Sequence, residues 1–308
     1  MSNQSAMELL AAFSTVFFIL AIGFGVQRLR PFGQETLDQL AGLVVDVLLP
    51  IYMFYATAAG TTPAALAAAP GLVLLGVALP LLSLLLALAL GPLARVRPAQ
   101  QSAFRFSAMV ANTAFLGIPL CAGLFGAIGA VYAVLFDFGT SLVILTVGIW
   151  TVSGGRTTNL NKLLRNPLIL GIVTGLLWAL TGWQLPEWFA QPCAALGSAT
   201  LPLALLVAGA QLGSIRSSSG WPWRQVTAVS AIRLVLVPLI MAAGLYLMAV
   251  EGDVFIGVVL VQSAMPVGLI TAIIARSYGA DAELSASAVL WSTVALVVTL
   301  PVLVVLVL

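Results

Sequence analysis

The sequence predicts an all-α membrane protein: ten transmembrane helices in two five-helix halves related as an inverted repeat, with two broken helices that cross. Three observations predict it. Of 308 residues 61% are hydrophobic, only 7% are charged and none is His, whereas a soluble domain carries about 25% charge. Apolar runs that match the roughly 20 residues needed to cross the hydrocarbon core recur near 7–26, 37–58, 70–93, 103–125, 130–152, 167–184, 194–213, 225–249, 254–277 and 284–306. The fourth and ninth runs are interrupted near their middles, by Gly117-Ile118-Pro119 and by Pro266-Val267-Gly268.

The first run has no Lys or Arg before it and Glu8 at its edge. It lacks the basic start and small-residue cleavage site of a secretory signal, so it is expected to be a mature span. The basic residues then test the count. Arg28 and Arg30 follow the first run; Arg95, Arg97 and Arg105 lie around the third connection; Arg156, Lys162 and Arg165 lie in the fifth. Arg216 and Arg224 lie in the seventh, and Arg276 closes the ninth run. Even-numbered connections hold none, and Arg233, the remaining one of 12, lies inside the eighth run. The positive-inside rule then puts odd connections in the cytoplasm. A multi-pass protein of the plasma (inner) membrane is expected, with both termini extracytoplasmic.

The long basic connection divides the chain into a first repeat, 1–152, a cytoplasmic connection, 153–166, and a second repeat, 167–308. Five spans per half force opposite orientations. Faint echoes agree: Asp46-Val-Leu-Leu-Pro50 with Ser198-Ala-Thr-Leu-Pro202, Pro80 with Pro238, and AVLFD ending at Asp137 with AVLWS ending at Ser292. An ungapped register through Gly129 and Gly279 sets Asn112 on Gln262.

Proline removes a backbone N–H and collides with the preceding turn, so both interrupted runs read as broken helices, with second halves starting near Leu120 and Leu269. Paired interruptions are a pointer to a transporter's binding site. Helix N-termini directed inward attract anions. Asn112, Thr113, Gly117 and Pro119 at the first break, with Gln262, Ser263, Pro266 and Gly268 at the second, are the candidate substrate-binding residues. The alternative is that these amides and small residues only hold helices together.

Asp137 and Asp46 are the carboxylates read at membrane depth. Each costs about 2.5–3.5 kcal/mol at a helix centre, which makes function the default, and either is a candidate for proton coupling; a hydrogen-bonded structural carboxylate is the alternative. Arg233 reads as a residue that snorkels or contacts lipid phosphate. Cys121 and Cys193 read as small buried hydrophobes, with no metal site or disulfide implied. No HExxH, GxSxG or GxxxxGK[ST] pattern occurs, so neither an enzyme nor a nucleotide-powered pump is expected, no cofactor is implied, and the net charge of +2 gives no sign of nucleic-acid binding.

Asn112-Thr113-Ala114-Phe115-Leu116-Gly117-Ile118-Pro119-Leu120, Asn166-Pro167-Leu168-Ile169 and Ala264-Met265-Pro266-Val267-Gly268 resemble the auxin efflux carrier family, which includes plant PIN proteins and bacterial malonate and malate carriers. The resemblance covers essentially the whole chain. It implies the fold of bile-acid symporters and sodium/proton antiporters, with a scaffold from spans 1, 2, 6 and 7 and a transport domain from spans 3, 4, 5, 8, 9 and 10. It also implies elevator motion, a homodimer built on the scaffold, and Asn112, Pro119 and Pro266 at the family's crossover positions. The expectation is a secondary transporter of a small mono- or dicarboxylate, with H+ or Na+ coupling open and the lipid bilayer as its surroundings. The rivals are a monovalent cation/proton antiporter using Asp137 and a ligand-binding membrane receptor or scaffold.

Overall fold

A computed structural model of the chain describes residues 3–155, 165–215 and 220–307. Among them every regular element is helical. In chain order these are α1 Asn3–Leu29, α2 Gln34–Gly60, α3 Pro63–Leu90, α4 Gln101–Met109, α5 Thr113–Val152, α6 Pro167–Leu180, α7 Glu187–Ser214, α8 Trp223–Leu247, α9 Asp253–Ser263, α10 Ile270–Ser277 and α11 Ala282–Val307. Six helices are long and apolar enough to cross a membrane, namely α2, α3, α5, α7, α8 and the Ala282–Leu303 part of α11. Shorter apolar helices are Ser14–Leu29 within α1, α6 and α9. Large apolar side chains such as Phe18, Leu74, Leu85, Leu177 and Val298 face outward, as lipid contact requires. Arg156, Lys162 and Arg216, three of the basic positions named in the count of spans, lie outside the described residues.

Helix starts follow local chemistry. Thr62 and Asn166 each precede a proline, and their side-chain oxygens accept from the N–H groups of Ala65 (3.2 Å) and Leu168 (3.0 Å). Each satisfies a donor that the first turn leaves free, and the proline has no N–H to leave unpaired. Gly126 breaks α5 with φ 66, a left-handed conformation that glycine adopts without penalty. The chain leaves the helix there, inside the turn expected between the fourth and fifth spans.

Prolines inside helices leave another mark. The wide, π-type turns Val44–Leu48, Thr113–Gly117 and Ile232–Leu236 each end two residues before a proline, Pro50, Pro119 and Pro238. A widened turn moves aside the carbonyl that the proline ring would strike and the missing N–H would leave unmatched. In the fourth, Ile144–Gly148, no proline follows; the Thr146 hydroxyl donates to the Leu142 carbonyl instead, a bond that bends helices.

Packing proceeds along small-residue seams. Helix α1 lies on α7, α2 on α6 and α7, α3 on α5, α9 on α5, and α8 and α10 on α11. A Cβ at Gly23 would collide with the Leu206 carbonyl and one at Gly209 with that of Leu20. The α3–α5 seam repeats the arrangement, Gly76 meeting the Phe136 carbonyl and Gly139 that of Val73. Absent a hydrophobic drive between helices in lipid, such close backbone contact supplies the attraction. Gly76→Ala is therefore expected to destabilise the protein by about 1–3 kcal/mol through overpacking, whereas Gly25→Ala, whose Cβ meets open space, is expected to be neutral or slightly stabilising. Thermal unfolding of the two variants in detergent distinguishes them, and equal melting temperatures would refute the seam.

Candidate functional site

Helix α4 ends at Met109, residues 110–112 are non-helical, and α5 begins with its wide turn at Thr113. Helix α9 ends at Ser263, and residues 264–269 are irregular before α10 begins at Ile270. Each interruption exposes backbone groups with no intrahelical partner, and in a membrane interior such groups must find protein partners. They find each other. The Asn112 N–H donates to the Pro266 carbonyl (2.8 Å) and the Gly268 N–H to the Val110 carbonyl (2.9 Å), an antiparallel bridge with Ala111 opposite Val267. A Cβ at Gly268 would lie 2.8 Å from Val110 Cγ1, so the close approach needs glycine there.

Side chains from neighbouring helices complete the set. Ser292 Oγ on α11 accepts the Val267 N–H (3.0 Å). Arg233 on α8 is fully buried and donates to the carbonyls of Ser263 (3.1 Å) and Met265 (2.9 and 3.2 Å) and to Ser83 Oγ (3.0 Å). It thus places a cation at the C-terminal, negative end of α9, where the helix dipole favours one. At the N-terminal, positive end of α5, the Thr113 hydroxyl donates to Asp137 Oδ1 (2.5 Å), and Asp137 is 3% exposed. Gln262 Nε2 donates to the Ala133 carbonyl (3.2 Å), and its Oε1 lies where a Cβ on Gly117 would sit. Among the described residues at the breaks, two buried amide atoms have no hydrogen-bond partner, Asn112 Nδ2 and Gln262 Oε1. Ser263 Oγ is taken by its own helix, donating to Leu260 (2.8 Å).

Asn112, Thr113, Gly117, Gln262, Pro266 and Gly268 are thus linked by direct contacts around the paired breaks, and Ser263 joins them through its carbonyl. Three expectations need correction. The first break falls at 110–112, not at Gly117-Ile118-Pro119: Pro119 lies within α5, directly after its wide turn, which accommodates it. The bridge sets Asn112 beside Pro266, and the second break is longer than the first. Arg233 neither snorkels nor meets lipid phosphate, since its guanidinium is spent on carbonyls in the interior. Asp46 is exposed, lining a cleft, so the burial expected from its depth does not hold.

That cleft, about 280 Å³, runs between Asp38, Asp46 and Gln211 of α2 and α7 on one wall and Phe115, Leu269 and Ile273 on the other. A second cavity of about 420 Å³ shares Gln211, Leu269 and Ile273 and continues past Arg276 and Glu283. The cleft therefore reaches the first turns of α5 and α10 from the end of the molecule that carries the basic connections. Sequence reasoning misses Arg233, Ser292 and Ser83 as site residues. Arg233 does carry a signal, a lone charge inside an apolar run, and Ser292 stands opposite Asp137 in the repeat echo.

Comparison with known proteins adds an independent line. The profile of the family described as "Membrane transport protein" matches residues 9–158 and again 154–304. An uncharacterized transporter of Methanothermobacter thermautotrophicus is 28% identical over 301 residues, 93% of this chain and 94% of that protein. An uncharacterized transporter of Methanocaldococcus jannaschii is 28% identical over 193 residues, 60% of this chain and 61% of that protein. Auxin efflux carrier component 8 of Arabidopsis thaliana is 26% identical over 134 residues, 42% of this chain and 36% of that protein.

The geometry predicts a structural cost at Arg233. Arg233→Met keeps the bulk and strands three acceptors, which is expected to cost about 2–5 kcal/mol, with Arg233→Lys falling between it and wild type. Unfolding in a denaturing-detergent titration measures this, and wild-type stability in the Met variant would contradict the capping role.

Proposed function

The chain belongs to the membrane transport protein family, and we propose that it is a secondary transporter moving a small organic anion, a mono- or dicarboxylate, around the paired helix breaks. The observation that carries this reading is the Asn112 side chain: buried at 3% exposure, set at the bridge, with its Nδ2 donor unpaired. A carboxylate supplies the missing acceptor, and the N-terminal ends of α5 and α10 add favourable dipoles. One relative is named for auxin efflux, which is in keeping with an organic-acid cargo.

In this reading ten segments cross the bilayer: α1, α2, α3, α4 with α5 up to Gly126, the rest of α5, α6, α7, α8, α9 with α10, and α11. They form a 5+5 inverted repeat, and the broken spans are the fourth and ninth. Helices α1, α2, α6 and α7 make a scaffold, which is also the expected homodimer surface, and the remaining helices make a transport domain that slides past it. The cleft between the two groups is the access path, open toward the basic, cytoplasmic face. Both termini then lie outside the inner membrane.

Asp137 is the coupling group. It occupies the positive helix end through Thr113, so an ionised Asp137 competes with the substrate for the same field. Its protonation removes that competition, and lower pH favours anion binding. In proteoliposomes an inward proton gradient is expected to accelerate uptake from a panel of carboxylates that includes malonate. Asp137→Asn, which fixes the neutral state, is expected to bind the anion with a flat pH profile and no response to the gradient. Asn112→Ala is expected to reduce uptake at least about tenfold, the loss of a charge-assisted hydrogen bond. Wild-type uptake in Asn112→Ala, or no carboxylate flux from the wild type, would refute the reading. Cation-dependent proton flux that is indifferent to organic acids and lost in Asp137→Asn would favour the cation antiporter instead. Saturable binding without flux would favour a receptor.

A further inference from the structure

A basic groove lies away from the helix breaks, where the C-terminal end of α3 meets the start of α8. It encloses about 410 Å³ between Leu90, Leu93 and Ala94 on one side and Arg224, Thr227 and Ala231 on the other. Arg95 and Arg97 follow directly in the chain, and the Gln225 side chain on α8 donates to the Ala94 and Arg95 carbonyls (3.3 Å each). That contact fixes the Arg95 backbone beside the start of α8, so that Arg224 lines the groove and Arg95 and Arg97 continue the chain from its opposite wall. All three are exposed, and none of their guanidinium groups has a hydrogen bond or ion pair among the described residues. No carboxylate lines the groove.

The turn itself is unusual. Arg95 has φ 52, in the left-handed region where a helix C-terminus ordinarily places glycine. The groove walls are apolar along the helix axes, Leu93 is 79% exposed and Trp223 stands half-exposed at the rim, the position aromatic residues take at headgroup level.

We infer that Arg95, Arg97 and Arg224 bind the phosphate of an anionic phospholipid whose acyl chain lies along the groove between α3 and α8. Basic pockets between membrane helices bind anionic headgroups by charge, and here the apolar walls extend the contact to the chain. A soluble partner would leave those walls uncovered. Bound lipid ties α3 to α8 on the face that carries the basic connections. Because both helices belong to the group proposed to move, the lipid would travel with it.

The test is a titration of the full chain in neutral detergent with phosphatidylglycerol, read by melting temperature and by native mass spectrometry. Phosphatidylcholine and inorganic phosphate are parallel arms. Saturable stabilisation by phosphatidylglycerol alone is expected. Arg224→Gln is expected to raise the half-saturating concentration about fivefold, the effect of one basic residue at a headgroup site. The triple Arg95→Gln, Arg97→Gln, Arg224→Gln variant is expected to lose saturation, while Arg28→Gln with Arg30→Gln, at a different connection, keeps it. Should the triple variant fold poorly, the count of phosphatidylglycerol molecules retained by Arg224→Gln gives the same answer. Equal stabilisation by phosphatidylcholine, a full effect from phosphate alone, undiminished binding in the groove variants, or equal loss in the Arg28 and Arg30 variant would overturn the assignment.

Discussion

Two backbone hydrogen bonds, Asn112 to Pro266 and Gly268 to Val110, are the constraint on which the centre of this protein depends. Interrupting a helix in an apolar interior leaves polar groups that cost several kcal/mol each when nothing answers them. One interruption alone would be prohibitive. Two, laid antiparallel, answer each other and fix their own register, so the breaks are stable only as a pair. Groups that the bridge does not cover are met by Ser292 and Arg233, both from helices of the second half. Among the described side chains at the first break, the donor left over is Asn112 Nδ2, which is why a ligand is the natural reading of that atom.

Charge is distributed to match. Arg233, carried by α8, sits at the negative end of α9, and Asp137, carried by α5 beyond its break at Gly126, meets the positive end of α5 through Thr113. A buried cation without an adjacent carboxylate is costly unless its donors are filled, and the Ser263 and Met265 carbonyls and Ser83 fill them. The electrostatic balance of the site is thus built from backbone dipoles as much as from side chains. A protonation change at Asp137 would therefore alter the field at the first turn of α5 without any movement of the backbone.

Much of this is legible in the residues. Composition announces a membrane protein, the interrupted runs announce the breaks, and residue types and spacing single out Asn112, Thr113, Gln262, Pro266 and Gly268. The errors share a cause. Pro119 reads as the breaking residue because proline excludes a helix N-terminal to itself. Here the wide turn at Thr113–Gly117 absorbs that conflict, and the true interruption lies upstream, where no residue type marks it. Arg233 reads as a lipid-interface residue because a sequence shows how far a charge lies from the span end, not which carbonyls a second broken helix brings to it. Asp46 reads as buried on depth alone, and depth does not say which face of α2 borders a cleft.

The wide turns bear on how the cleft forms. Val44–Leu48 on α2 and Thr113–Gly117 on α5 both precede prolines, and both contribute to the cleft lining, through Val45 and Asp46 on one wall and Phe115 on the other. A π-type turn inserts one residue and rotates the helix beyond it, so prolines placed three residues after Val47 and four after Phe115 set which side chains the two walls present. Such turns also lack part of the regular hydrogen-bond ladder. Glycine seams hold α1 on α7 and α3 on α5, and the wide turns Val44–Leu48 and Thr113–Gly117 face each other across the cleft.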